Sequence, residues 1–178
     1  MNSTVPLEQR VRGALRPVKD YPKPGIVFQD ITPVLGDAAL LRDVIAAMAE
    51  PFATRGVTHV VGIEARGFIL GGAVATTLGA GFVPARKPGK LPWERMTEEY
   101  ALEYGTDALE CHRDGLGEES RVLVVDDVLA TGGTAKAAGR LARKLGGEVI
   151  GMSFLLEIGF LKGRARLDGE VCHVVASV

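Results

Sequence analysis

Apolar residues recur along the chain with two different periods, and the switches between them mark its elements. Leu7, Val11 and Leu15 recur every four residues and predict a short helix over 7–15. Leu40, Leu41, Val44, Ile45, Met48 and Phe52 predict an amphipathic helix between Asp37 and Arg55, with Asp37 as its cap. The β-branched run Thr58–Ile63 predicts a strand that ends in Glu64-Ala65-Arg66-Gly67, with a helix following to about Leu78. Gly81–Ala85 reads as another strand, ending in Arg86-Lys87-Pro88-Gly89-Lys90. Residues 91–99 are mixed in charge and predicted irregular, with Trp93 outside any core position; Tyr100–Cys111 alternates around Gly105-Thr106-Asp107 and predicts a hairpin. Val122–Val125 is a buried strand, followed by an acidic turn at Asp126-Asp127 and a loop of small residues. Helical spacing then returns in Ala135, Ala138, Leu141, Ala142 and Leu145, and Gly146-Gly147 stops the helix. Glu148–Leu156 and Val171–Val175 complete the strands.

Strands alternating with helices predict an α/β fold: a mainly parallel central sheet flanked by helices. The prolines at 22 and 24 exclude a helix from Tyr21–Pro33, so residues 1–35 read as an N-terminal arm. Residues 88–111 read as a lid loop and hairpin, because a long polar segment rooted in Gly and Pro is typical of an active-site cover. Phe68–Ala85 carries no charge and is long enough to span a membrane, but its glycines, threonines and proline fit a helix plus a buried strand better.

Composition narrows the classes. A chain of 178 residues with 47% hydrophobic and 24% charged residues is expected to fold as a single domain, 1–178, with a full core. A net charge of −1 supplies no global field for nucleic acid, so any anion must be held by local clusters. Cys111 and Cys172 are too few for a disulfide framework, and the polar N-terminus lacks a signal-peptide core; a cytoplasmic location is expected. His59, His112 and His173 are too dispersed to suggest a metal site.

The chemistry concentrates in Asp126-Asp127-Val128-Leu129-Ala130-Thr131-Gly132-Gly133-Thr134. Glycines at 132 and 133 let the backbone approach an anion, the N–H groups opening the helix carry the positive end of its dipole, and Thr131 and Thr134 add hydroxyl donors. Two carboxylates beside an anion cradle make sense for a ligand bearing hydroxyls as well as phosphate, such as a phosphorylated ribose. An ordinary strand–loop–helix turn with capping residues would need only part of this string. No Gly-Lys-Ser/Thr follows, and Gly-x-Gly-x-x-Gly is missing, so neither a Walker loop nor a dinucleotide fingerprint applies. Arg66 and the Arg86/Lys87/Lys90 group stand at two further strand ends, which a parallel sheet brings to one edge.

The central string resembles the phosphoribosyl pyrophosphate motif of type I phosphoribosyltransferases. Pro24–Pro33, Arg66-Gly67-Phe68, Arg86–Pro92, Leu102-Glu103-Tyr104-Gly105 and Leu161-Lys162-Gly163-Arg164 are similar to signatures of the adenine phosphoribosyltransferases, so the likeness covers nearly the whole chain. The resemblance implies transfer of phosphoribosyl from phosphoribosyl pyrophosphate to adenine, giving AMP and pyrophosphate with Mg²⁺. It implies that Ala130, Thr131, Gly132, Gly133 and Thr134 hold the 5′-phosphate, and that Asp126 and Asp127 take the ribose hydroxyls. Arg66, Lys87 and Lys90 would meet the pyrophosphate, and Mg²⁺ would be bound mainly by the pyrophosphate and water rather than by protein ligands. Backbone groups of Val27 and Gln29 would read adenine while Phe28 stacks on it, with residues 1–35 as a base-binding hood. Glu103 and Tyr104 would close over the site, Glu103 sharing a proton with the base. A homodimer is implied, with Arg86 or Lys87 reaching toward the neighbour; no nucleic-acid or membrane partner is. Gln29 and Pro88 stand where some members carry arginine. Transferases for hypoxanthine, guanine or xanthine share the central string, so the 24–33 arm carries the choice of base. A phosphoribosyl pyrophosphate-binding regulator without catalysis would call for a nucleic-acid surface.

Overall fold

A computed structural model describes residues 5–101, 105–167 and 169–178. Its frame is a five-stranded sheet in the order β4-β3-β7-β8-β9, formed by β3 (His59–Ile63), β4 (Gly81–Ala85), β7 (Arg121–Leu129), β8 (Glu148–Glu157) and β9 (Cys172–Ser177). Every pairing in it is parallel. A parallel strand inside such a sheet is covered on both faces and must be apolar on both, and Val122, Leu123, Val124 and Val125 are all fully buried in β7. Leu123 and Val125 pack into a cluster with α1 (Leu7–Ala14), α2 (Thr32–Gly36), α3 (Ala38–Ala49) and α4 (Arg66–Leu78). Val122 and Val124 pack into a second cluster with α5 (Gly133–Lys144) and a hairpin. The predicted α/β architecture is therefore the observed one.

Local signals place the helices. The Asp37 carboxylate accepts hydrogen bonds from the Ala39 and Leu40 N–H groups, both at 3.0 Å, and so opens α3. Gly79 ends α4 in the left-handed region at φ +66°, as a C-cap glycine does.

Four details depart from the sequence expectations, the first being that helix α2 takes in Thr32 and Pro33, because a proline in the first turn lacks only an N–H that has no partner within the helix. Asp126 and Asp127 are not a turn: β7 runs on to Leu129, with Asp126 opposite Phe154 and Val128 opposite Leu156. The long partner β8 offers backbone hydrogen bonds beyond the apolar run, and tertiary pairing overrides the low strand preference of aspartate. Residues 95–99 are not irregular but belong to strand β5 (Arg95–Ala101), antiparallel to β6 (Thr106–His112). The inward positions of β5 are Met96, Glu98 and Tyr100; a charge at the middle one hid the alternation. The 6%-exposed Glu98 is paired with Lys144 at 2.5 Å and lies 3.8 Å from Arg140, which fastens the hairpin along α5. Finally, the N-terminal arm contains a small antiparallel pair, β1 (Arg16–Lys19) with β2 (Val27–Asp30), too short for a visible period.

Among the described residues no helix is long and apolar enough to cross a membrane, and both cysteines are free thiols. Because its two hydrogen bonds open α3, Asp37→Ala is expected to lower unfolding free energy by about 1 kcal/mol in urea titrations, with an unchanged denaturant slope.

Candidate active site

Strands β4, β3 and β7 are neighbours, so their carboxyl ends deliver three loops to one edge. The loop after β7 forms an anion cradle. Asp126, Leu129 and the whole Ala130–Thr134 segment line a cleft of ≈ 70 Å³, where one water needs roughly 10–15 Å³. Gly132 sits at φ +81°, and a Cβ there would lie 2.4 Å from the Gly163 carbonyl oxygen. A Cβ on Gly163 would in turn lie 2.1 Å from the Ala130 carbonyl oxygen. Two backbones thus touch directly, which only a glycine pair allows. The first turn of α5 carries no acid, and Arg143 and Lys144 occupy its last turn, an arrangement that leaves the positive helix end to an anion.

The adjacent carboxylates have different surroundings. Asp126 Oδ1 accepts the Asp127 N–H at 2.8 Å. Burial above all, and then the negative charge of Asp127, push the Asp126 carboxyl well above the usual carboxylate range. Asp127 is 7% exposed and accepts Arg66 Nε at 2.5 Å. Burial opposes the charge on Arg66, but the hydrogen bond to Asp127, then the fields of Asp127, Asp126 and Asp30, prevail and raise its pKa.

Arg66 also joins this centre to the arm. Its guanidinium carbon lies 5.4 Å from the centroid of the Phe28 ring, and Phe28 meets Tyr21 edge to face at 5.3 Å. Val27 is exposed beside it, and Gln29 is half-buried on the same short strand.

The cations at the end of β4 are all engaged. Arg86 Nε donates to Glu64 Oε2 at 2.8 Å and Lys90 Nζ to Glu64 Oε1 at 3.1 Å. Burial alone would raise the Glu64 pKa, but these donors outweigh it and lower it. Lys87 donates to Asp107 and, at 2.8 Å, to the Tyr100 hydroxyl. The Tyr100 hydroxyl also receives Thr134 Oγ1 at 3.3 Å. Arg66, Arg86, Lys87 and Lys90 therefore gather at one edge as expected, but each is paired with a carboxylate rather than projecting alone. Glu64, Tyr100 and Asp107 were not anticipated as members of the site. Glu64 had a signal, being a charge at a strand's carboxyl end, whereas an aspartate beside a hairpin glycine is too ordinary to stand out. Glu103 and Tyr104 lie outside the described residues. Among the described residues no group of three or more His, Cys, Asp or Glu side chains could hold a metal ion.

Comparison with known proteins agrees with this geometry. Residues 34–167 match the phosphoribosyl transferase domain family. The adenine phosphoribosyltransferase of Myxococcus xanthus is 60% identical over 88% of this chain and 85% of its own. That of Thermobifida fusca is 54% identical over 92% and 93%. The crystal structure of the Rhodothermus marinus enzyme superposes with a TM-score of 0.93 at 53% identity, covering 97% of this chain and 98% of that one. The Saccharomyces cerevisiae enzyme, solved with an imino-altritol bisphosphate and adenine, gives 0.88 at 37% identity over 95% and 98%. A strand-end anion cradle in a parallel sheet and the domain match together define a phosphoribosyltransferase. Within that family, identities of 54–60% over nearly full length show that the chain belongs to the adenine phosphoribosyltransferases.

The environment of Asp126 has a consequence for stability. A carboxyl whose pKa is raised by folding costs the native state once pH exceeds its unfolded value, and costs nothing below it. Asp126→Asn is therefore expected to be more stable than the natural chain at pH 7, with the gap closing near pH 4; urea unfolding at the two pH values checks it.

Proposed function

We propose that this chain transfers the 5-phosphoribosyl group of phosphoribosyl pyrophosphate to adenine, releasing AMP and pyrophosphate in purine salvage. The observation that supports it best is one sheet edge offering three features side by side: an amide cradle, a carboxylate pair and a row of cations reaching an aromatic ring.

Ala130–Thr134 receive the 5′-phosphate through backbone N–H groups and the Thr131 and Thr134 hydroxyls. Asp126 and Asp127 receive the ribose hydroxyls, Asp127 while also holding Arg66. Arg66, Arg86, Lys87 and Lys90 receive the pyrophosphate. Phe28 stacks on adenine, and backbone groups of Val27 and Gln29 read its edge, with residues 1–35 serving as the hood. Residues 88–111 form the lid, on which Glu103 shares a proton with the base and Tyr104 covers the site. Mg²⁺ fits this reading as a hard ion carried on pyrophosphate oxygens and water; bound there it offsets charge on the leaving group. We further propose a cytoplasmic homodimer in which Arg86 or Lys87 approaches the partner's site, with neither nucleic acid nor membrane as a partner.

The magnitudes rank the contributions. An acceleration of about a millionfold requires ~8 kcal/mol. One proton transfer supplies about a hundredfold to ten-thousandfold. Positioning and stabilisation of the departing anion must supply the remainder.

Incubation with adenine, phosphoribosyl pyrophosphate and Mg²⁺ is expected to yield AMP, with hypoxanthine, guanine and xanthine turned over poorly; preference for another base would refute the adenine assignment. Glu103→Ala is expected to lower turnover by about 10²–10⁴ while leaving residual activity, and a fully active variant would remove Glu103 from the mechanism. Gly163→Ala, which drives a Cβ into the Ala130 carbonyl, is expected to weaken phosphoribosyl pyrophosphate binding at least tenfold in calorimetry, with little change in the affinity for adenine.

A further inference from the structure

Lys87 is held from a segment of the chain distant in sequence. The backbone of Arg86 is bridged to that of Glu110, N to O at 2.9 Å one way and 2.7 Å the other. Glu110, 4% exposed, accepts the Gly89 N–H at 3.0 Å and Arg95 Nε at 3.1 Å. This clamp fixes β6 against the basic loop and presents Asp107, three residues earlier on β6, to Lys87. Asp107 Oδ2 accepts from both Lys87 and the Tyr100 hydroxyl, the latter at 3.1 Å. Asp107 Oδ1 accepts the Ala108 N–H at 2.8 Å. The Tyr100 hydroxyl is saturated: it donates to Asp107 and accepts from Lys87 and Thr134. Tyr100 is 8% exposed, so this arrangement is packed rather than solvated. Its ring also lies beneath the ammonium, 5.4 Å from centroid to Nζ.

A carboxylate in this position is unexpected in a site that must receive a polyanion, since it repels the ligand and occupies a cation the ligand needs. We infer that Asp107 is a positioning residue that competes with pyrophosphate for Lys87: it keeps the ammonium aimed at the sheet edge beside Thr134 and limits how tightly pyrophosphate is retained. The inference rests on the proposed reaction and deepens it. A purely structural brace predicts the opposite sign, because loosening a brace weakens binding whereas removing a competitor strengthens it.

Asp107→Asn deletes the charge and keeps one carbonyl oxygen, which can serve Lys87 and Tyr100 or the Ala108 N–H but not both. Pyrophosphate titrated into the full chain with Mg²⁺ is expected to bind this variant about fivefold more tightly, the upper range for a partly exposed ion pair. Pyrophosphate should likewise become about fivefold more potent as a product inhibitor, with the KM for adenine and the affinity for ribose 5-phosphate unchanged. Asp107→Glu is expected to restore the natural affinity. In a Lys87→Met background the gain from Asp107→Asn should fall well below fivefold, to what relief of direct repulsion leaves; an undiminished gain overturns the competition for Lys87. Equal or weaker pyrophosphate binding by a folded Asp107→Asn protein overturns the inference. If Asp107→Asn fails to fold, Asp107→Ala is judged by the same sign. Should the natural chain bind no pyrophosphate and make no AMP, the proposed reaction falls and this inference with it; an active natural chain with an indifferent Asp107→Asn variant sinks the inference alone.

Discussion

A parallel strand buried on both faces can carry polar chemistry only where it leaves the core. β7 follows this limit: four fully buried apolar residues, then two aspartates toward the end of the strand, then Val128 and Leu129 before the small-residue loop. The same limit applies to β3 and β4, whose charged residues begin at Glu64 and Arg86, just past their last buried positions. Register does the rest. His59 lies opposite both Gly81 and Val122, so the three strands run out of core at the same height. Charge that the interior refuses is thereby collected along one edge.

Collected charge must then be balanced. Seven ionisable groups of both signs are paired along this edge: Asp127 with Arg66, Glu64 with Arg86 and Lys90, Asp107 with Lys87. Partly exposed pairs of this kind are individually weak, and that weakness suits the proposed reaction, in which an incoming polyanion would exchange one set of partners for another. Asp126 is the exception. With its neighbour already committed to Arg66, it stays buried beside a like charge, and its carboxyl titrates well above the usual range.

The hairpin adds a second level of organisation. Strand β5 lies along α5, fastened near the helix end by Glu98 to Lys144 and near its start by Tyr100 to Thr134. The β5–β6 hairpin and the helix that follows the 130–134 loop are thus one packed unit, and the basic loop after β4 is tied to it through Arg86 and Glu110.

The sequence alone determined the long helices, the five strands of the central sheet and the glycine-rich segment that links β7 to α5, because buried periodicity and glycine placement are local properties. It did not reveal that Asp126 and Asp127 continue a strand, since that depends on the length of β8, a partner over twenty residues away. Nor could it expose β5, whose inward charge Glu98 is matched only by a helix that folds against it. The contact between Gly132 and Gly163 joins residues thirty-one positions apart. The pairing of each site cation was likewise decided in three dimensions: a lysine's partner is set by which carboxylate the fold brings within hydrogen-bond reach, and Asp107 reaches Lys87 only after two hairpin strands close and bridge to β4.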